Sequence, residues 1–215
     1  MTDYNSSPVP SGKPNSKPVF LKRVISTGFD VVSLFLVFMV LTYIITQTPL
    51  AAEYNRHVEN YREIEKTVLQ QCENDLNKAR ERLNTDQAYR DEMFAANLHG
   101  YLLKGLARGI AEAILFLIIP LSDPARGTIG RRLTGIALFD ESRQSYARWY
   151  QVLGRFVFIF VFESMTLYLW TGILTFLLVP VLRLIAVMLN RKDKTLCDYR
   201  TFTMLIEKTS YSSIH

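Results

Sequence analysis

Long apolar runs alternate with strongly charged stretches along this chain, and the lengths of the runs predict its main elements. The first run extends from Val24 to Thr46. At 1.5 Å of rise per residue, its roughly 23 residues cross the ~30 Å hydrocarbon layer of a bilayer with some tilt. It is also longer than the apolar core of a cleavable signal, so it reads as an uncleaved span. A second run occupies Leu102 to Leu121 and is ended by Pro120 and Pro124. From Val152 to Leu189 the chain is almost continuously apolar, and about 38 residues are too many for one crossing and enough for two. Trp170-Thr171-Gly172 near the midpoint supplies an interfacial aromatic and a turn residue.

The segments between the runs carry other periods. Thr48-Pro49 resembles a helix start, with Thr48 as N-cap and Pro49 in the first turn. Apolar residues then recur in steps of three and four, at Tyr54, Val58, Tyr61, Ile64, Val68, Cys72, Leu76, Ala79 and Leu83. Asn84-Thr85-Asp86-Gln87 reads as a cap and restart, which predicts a second helix running back and hence a helical hairpin. A coiled-coil dimer competes with this, but the heptad drifts after Cys72. Leu133 to Asp140 reads as a short strand, and Thr201 to Glu207 is a matching β-like segment with which it is expected to pair.

The expected fold is thus an all-α integral membrane protein. It has four transmembrane helices, an extracytoplasmic helical hairpin and a small cytoplasmic two-stranded β element. Its divisions are a disordered cytoplasmic tail at 1–19, a first span at 20–47 and a helical insertion at 48–101. A second span at 102–121, a basic loop at 122–151, a third and fourth span within 152–189 and a cytoplasmic tail at 190–215 complete it.

Composition agrees with this class. The chain has 215 residues, 49% hydrophobic and 21% charged, too apolar a balance for a soluble domain of this size. The net charge of +5 could serve nucleic acid or acidic lipid. The distribution decides for lipid headgroups at the cytoplasmic face and against nucleic acid, because Lys and Arg cluster beside the apolar runs. Lys13, Lys17, Lys22 and Arg23 precede the first span; Arg126, Arg131, Arg132, Arg143 and Arg148 fill the central loop; Arg191, Lys192 and Lys194 follow the last run. By the positive-inside rule all three segments are cytoplasmic, which requires four crossings. On that topology Cys72 and Cys197 lie on opposite sides and cannot pair, and His57, His99 and His215 are scattered, so no disulfide, metal or cofactor is expected.

Charged side chains inside the apolar runs are the candidate chemistry. Asp30 lies about 9 Å in from the cytoplasmic end, seven residues after Arg23 and on nearly the same face, with Arg155 and Arg183 entering at comparable depth. A carboxylate there is costly unless it is paired, hydrated or protonated. Glu163 sits in the middle of the third run with no basic residue near in sequence, a setting for a proton or cation site. Arg108 and Glu112 are one turn apart in the second run and can pair. Each of these groups is also compatible with a purely structural role, such as an ion pair that pins helix register. In the loop, Gly127, Gly130 and Gly135 permit tight turns, and Arg131 and Arg132 can grip phospholipid headgroups or pair with Asp198. Gly-Thr-x-Gly lacks the following Gly-Lys-Ser/Thr of a phosphate loop.

Three segments together resemble the RDD family of bacterial membrane proteins. The first is Lys22 to Asp30, with its arginine at the head of a span and its aspartate within it. The second is Gly127-Thr128-Ile129-Gly130-Arg131-Arg132-Leu133-Thr134-Gly135-Ile136. The third is Lys194-Thr195-Leu196-Cys197-Asp198 with Thr203, and Arg155 fits the family's arginine at the start of the third run. The chain departs from the pattern at Cys197, where the family usually has histidine, and in its long 48–101 insertion. The resemblance implies a multi-pass membrane protein for which transport, including cation–proton exchange, is suggested. The expected activity is non-enzymatic passage of a cation or proton through an oligomeric bundle, with Arg23, Asp30, Arg155, Glu163 and Asp198 along the path. The alternative is an accessory or scaffold protein that docks a partner through the hairpin.

Overall fold

The computed structural model describes residues 20–140, 142–143, 145–165, 168, 172–189 and 196–207. The expected tail at 1–19, Trp170-Thr171 and the charges Arg191, Lys192 and Lys194 lie outside these residues. So do the side chains of Glu163, Arg183 and Cys197. The chain is mostly helical and forms two compact units, one of residues 1–37 with 109–215 and one of residues 38–108.

Helix α1 (Phe20–Thr46) contains no proline and is apolar on most of its circumference. Among the described residues it is the one helix long and apolar enough to cross a bilayer, as a span or a signal sequence would be. Val32, Leu36 and Val40 are each more than half exposed, which a helix buried in a soluble core would not be. The second apolar run is carried by α4 (Gln87–Ala113), a π-helical stretch Ile114–Ile118 and α5 (Ile119–Ser122). Pro120 explains the widened turns: it has no N–H for the carbonyl of Phe116, and its ring would clash there. The third run forms α7 (Trp149–Phe158) and a π-helical stretch Ile159–Met165, and among the described residues Trp149–Val161 is a shorter apolar helix. A 3₁₀ turn at Gly172–Leu174 then leads into α8 (Thr175–Leu189).

In the first unit the polar loop folds into α6 (Ile129–Leu133) and three strands, β1 (Ile136–Asp140), β2 (Ser145–Tyr146) and β3 (Thr203–Glu207). The antiparallel pairing of β1 with β3 agrees with the expectation, in the register Ile136↔Glu207 through Asp140↔Thr203. The sheet is three-stranded, however, in the order β2-β1-β3, where two strands were expected. The added strand follows from Asp140, whose carboxylate accepts from the backbone N–H (2.9 Å) and hydroxyl (2.7 Å) of Ser142 and so turns the chain back. Both segments are also shorter than expected. Leu133 ends α6 and Gly135 turns at φ +69°, while Thr201 closes α9 (Leu196–Thr201).

Strand β1 is buried along its whole length, which accounts for its unbroken apolar sequence. Ala137 and Phe139 pack with Ala125 and Ile206, while Leu138 packs with Ala147 and Val152. Each fully buried aliphatic side chain here contributes roughly 1.5–3 kcal/mol.

The second unit is a helical hairpin. After α1, a 3₁₀ turn at Pro49–Ala51 leads into α2 (Ala52–Gln71), followed by α3 (Leu76–Thr85) and the start of α4. Thr48 does not cap the new helix with its side chain; its hydroxyl donates back to the carbonyl of Ile45 at 2.7 Å and closes α1. The expected single helix from Tyr54 to Leu83 is broken, and the chain reverses at Cys72–Asp75. Glu73 (φ 52°) and Asn74 (φ 62°) make the turn, and Asp75 caps α3 through Asn77 and Lys78. The restart at Asn84–Gln87 is present, with Asp86 accepting from the Tyr89 N–H at 3.0 Å, but it continues the returning limb. Cross-links in reverse order confirm antiparallel limbs. A Cβ on Gly100 would meet Tyr54 at 2.9 Å, His57 Nδ1 lies 2.6 Å from Glu92 Oε2, and the Tyr89 hydroxyl donates to Glu65 at 2.7 Å.

Candidate functional site

The site begins on one face of α1. Arg23, Ser26 and Asp30 are spaced by three and four residues, which stacks them along the helix. Arg23 and Ser26 are buried. Helix α6 lands directly on this face because residue 130 is glycine: a Cβ there would sit 1.9 Å from the Ser26 carbonyl oxygen. With the backbones this close, the Gly130 N–H donates to Asp30 Oδ1 (2.8 Å) and the Thr128 hydroxyl donates to Oδ2 (2.7 Å). Thr128 is the residue before α6, yet its own side chain makes no cap. The carboxylate of Asp30 performs that task from another helix.

Both donors, a hydroxyl and a backbone amide, are partners of Asp30 that the sequence did not suggest.

The loop that presents Thr128 and Gly130 is held by its own charges. Asp123 Oδ2 accepts from the Gly127 N–H at 2.9 Å and lies 3.4 Å from Arg132 Nε. Arg132 also donates to the carbonyls of Gly127 and Ile119 and to the Ser122 hydroxyl. Arg126, at φ 53°, donates to the carbonyls of Leu121 and Ala147. Two arginines therefore satisfy carbonyl groups at the end of α5, which a helix terminus leaves open. Arg132 is thus engaged within the loop, where the sequence offered it as a partner for Asp198.

Asp198 is met by Arg155. The guanidinium of Arg155 on α7 donates to the carboxylate of Asp198 on α9 and, at 2.8 Å, to the hydroxyl of Thr203 on β3. All three are buried, Asp198 and Thr203 almost completely. Thr201 and Thr203 share a hydroxyl–hydroxyl bond of 2.8 Å. One helical turn before Arg155, Gln151 accepts from the Arg148 N–H (2.8 Å) and donates to the Thr201 carbonyl (3.2 Å). A buried, hydrogen-bonded ion pair thereby fastens the sheet to α7. Its sequence signals were Arg155, Asp198 and Thr203; Gln151 carried none.

Arg108 and Glu112 are both buried, one turn apart on α4. Glu163 falls on the second π-helical stretch, a widened geometry that recurs at functional sites. Asp140 was not singled out by the sequence. Burial pushes its pKa up, but the hydroxyl and amide of Ser142, with the Gln151 side chain and the Arg143 backbone, outweigh that and hold it below the ordinary aspartate value. In the hairpin, the hydrogen bond from the Tyr89 hydroxyl to Glu65 pushes the Tyr89 pKa up to about 12. Among the described residues no three His, Cys, Asp or Glu side chains are grouped as a metal site. No protein-family model, curated protein or solved structure matches the chain.

Proposed function

We propose that this chain is a multi-pass membrane protein of RDD type that passes a cation or a proton through an oligomeric bundle of its helices. Asp30 is its ion-bearing group. The observation that carries the reading is the grip of Thr128 and Gly130 on the Asp30 carboxylate. It joins residues of the first and second motif segments that resemble the family. A proton on Oδ2 turns an acceptor into a donor, so the Thr128 hydroxyl must reorient to accept and the bond between loop and α1 reverses direction. Protonation of Asp30 and the hydrogen bonding of the loop are thereby coupled.

Arg23 on the same face supplies positive charge near the carboxylate, and Glu163 on the widened stretch of the third run provides a second carboxylate station. Arg155 and Asp198 hold the sheet against α7, where the loop is read as cytoplasmic. Four spans are supported by three basic segments that the positive-inside rule puts on one side. Oligomerisation is supported by the small number of helices that one chain offers to enclose a polar path. In proteoliposomes, Asp30→Asn abolishes pH- or Na⁺-dependent flux while the protein still folds; unchanged flux rejects the proposal.

A second reading, a scaffold that docks a partner through the hairpin, is favoured by Leu76 and Phe94, which are 73% and 69% exposed. Deletion of residues 51–95 separates the two: surviving flux with loss of a co-purifying partner identifies a docking element.

A further inference from the structure

The turn between α9 and β3 carries a bulky side chain in a backbone conformation that such residues avoid. Phe202 has φ 52° and is 69% exposed. A phenylalanine in the left-handed region is sterically costly, and an exposed ring gains no core packing in return. Both neighbours hold it there. Thr203 is fully buried and bonded to Arg155, and the Thr201 carbonyl accepts from Gln151. The Thr201 methyl group also packs beside Gly154, where a Cβ would lie 3.5 Å away. The ring is therefore presented outward at the level of the first turns of α7.

That level already carries exposed aromatics. Trp149 and Tyr150 are 61% and 44% exposed, and their rings meet edge to face at 6.0 Å. Arg148, just before them, is exposed, as is Arg200 on α9. Arg200 is two residues beyond Asp198, roughly 200° around the helix, so it faces out while Asp198 faces Arg155.

We infer that Arg148, Trp149, Tyr150, Arg200 and Phe202 form a seat for anionic phospholipid at the start of the third apolar run. The three rings sit at headgroup depth and the two guanidinium groups engage phosphate. Aromatic rings with one polar edge favour this depth, and planar guanidinium groups suit phosphate oxygens. Charge selects the lipid class, since both exposed charged side chains of the patch are basic while Asp198 is turned inward and Asp140 is bonded to Ser142. Strain at Phe202 has a purpose on this view: it aims a ring that the extended backbone of β3 would direct elsewhere. The inference rests on the multi-pass reading and adds to the lipid contact expected of Arg131 and Arg132 a second place, at the start of α7.

The test uses single-tryptophan full-length proteins in vesicles of phosphatidylcholine and phosphatidylglycerol containing brominated lipids. Trp170→Phe leaves Trp149 as one reporter; Phe202→Trp and Val32→Trp, each with Trp149→Phe and Trp170→Phe, supply two others. Shallow bromine quenches positions 149 and 202, and deep bromine quenches position 32. Quenching at 32 alone overturns the lipid seat and leaves the membrane reading standing; no quenching at any position overturns both. Arg148→Gln and Arg200→Gln each lower the enrichment of phosphatidylglycerol around the protein by about fivefold, the ratio matching ~1 kcal/mol per basic group near an anionic surface. An unchanged enrichment in the double variant assigns the patch to a protein partner or a second copy and overturns the seat. Phe202→Gly, which suits the positive φ, raises the melting temperature in detergent and removes the added stability given by phosphatidylglycerol; a loss in detergent would mean that the ring is structural and would overturn the inference.

Discussion

A single missing methyl group decides how α6 meets α1. At Gly130 a Cβ would overlap the Ser26 carbonyl, and the obstacle is backbone, which cannot rotate aside. Gly130→Ala should therefore destabilise the protein by about 1–3 kcal/mol, as overpacking does, and thermal unfolding in detergent measures it. The Arg155–Asp198 pair has a different signature. Asp198→Asn or Arg155→Met leaves an uncompensated buried charge, at a cost of about 3–5 kcal/mol. The double variant Arg155→Met with Asp198→Leu should recover much of that loss, because the unpaired charge is gone; denaturant unfolding of the set tests it. Tyr89 gives a prediction in pH. Its pKa rises from 10.0 to about 12 on folding, so the folded state binds the proton more tightly than the unfolded state. The stabilisation is complete below pH 10 and is lost as pH rises toward about 12. Circular dichroism across that range should show the hairpin weakening, and Tyr89→Phe should remove this step.

Elements were legible where the signal was local. The length of the α1 run, the β character of residues 136–140 and 203–207, and the cap at Asp86 depend on neighbours in sequence, and the structure has all of them. The hairpin turn was misplaced because apolar residues keep helical spacing through Cys72, Leu76 and Ala79. That periodicity overrode a nearer signal, an Asn-Asp pair suited to a left-handed turn and an N-cap. Leu76 shows the flaw in the pattern, since it is 73% exposed and contributes nothing to a buried stripe. Asp75→Ala should cost α3 about 1 kcal/mol through loss of its cap, measurable as faster hydrogen exchange in residues 76–85. β2 escaped notice because it is two residues long and depends on Asp140 binding Ser142, a turn that periodicity does not register.

For the molecule as a whole, the amino-acid sequence alone determined that α1 is long and apolar enough to cross a bilayer. Apolar run length and the placement of lysine and arginine are one-dimensional quantities, and the free energy of moving helices into hydrocarbon depends on little else. Asp30 and Arg155 were also identifiable as consequential, since charge in apolar surroundings is costly wherever the chain goes, while Asp198 stood out only through the motif resemblance. Their partners were decided by tertiary structure. Asp30 meets Thr128 and Gly130 across 98 and 100 residues of chain, and Arg155 meets Asp198 across 43. Which donor reaches which acceptor over such separations depends on close approaches such as the one at Gly130, where a Cβ would lie 1.9 Å from the Ser26 carbonyl oxygen. Hydrogen bonds and close contacts are short-ranged in space, and a residue order records proximity along the chain only.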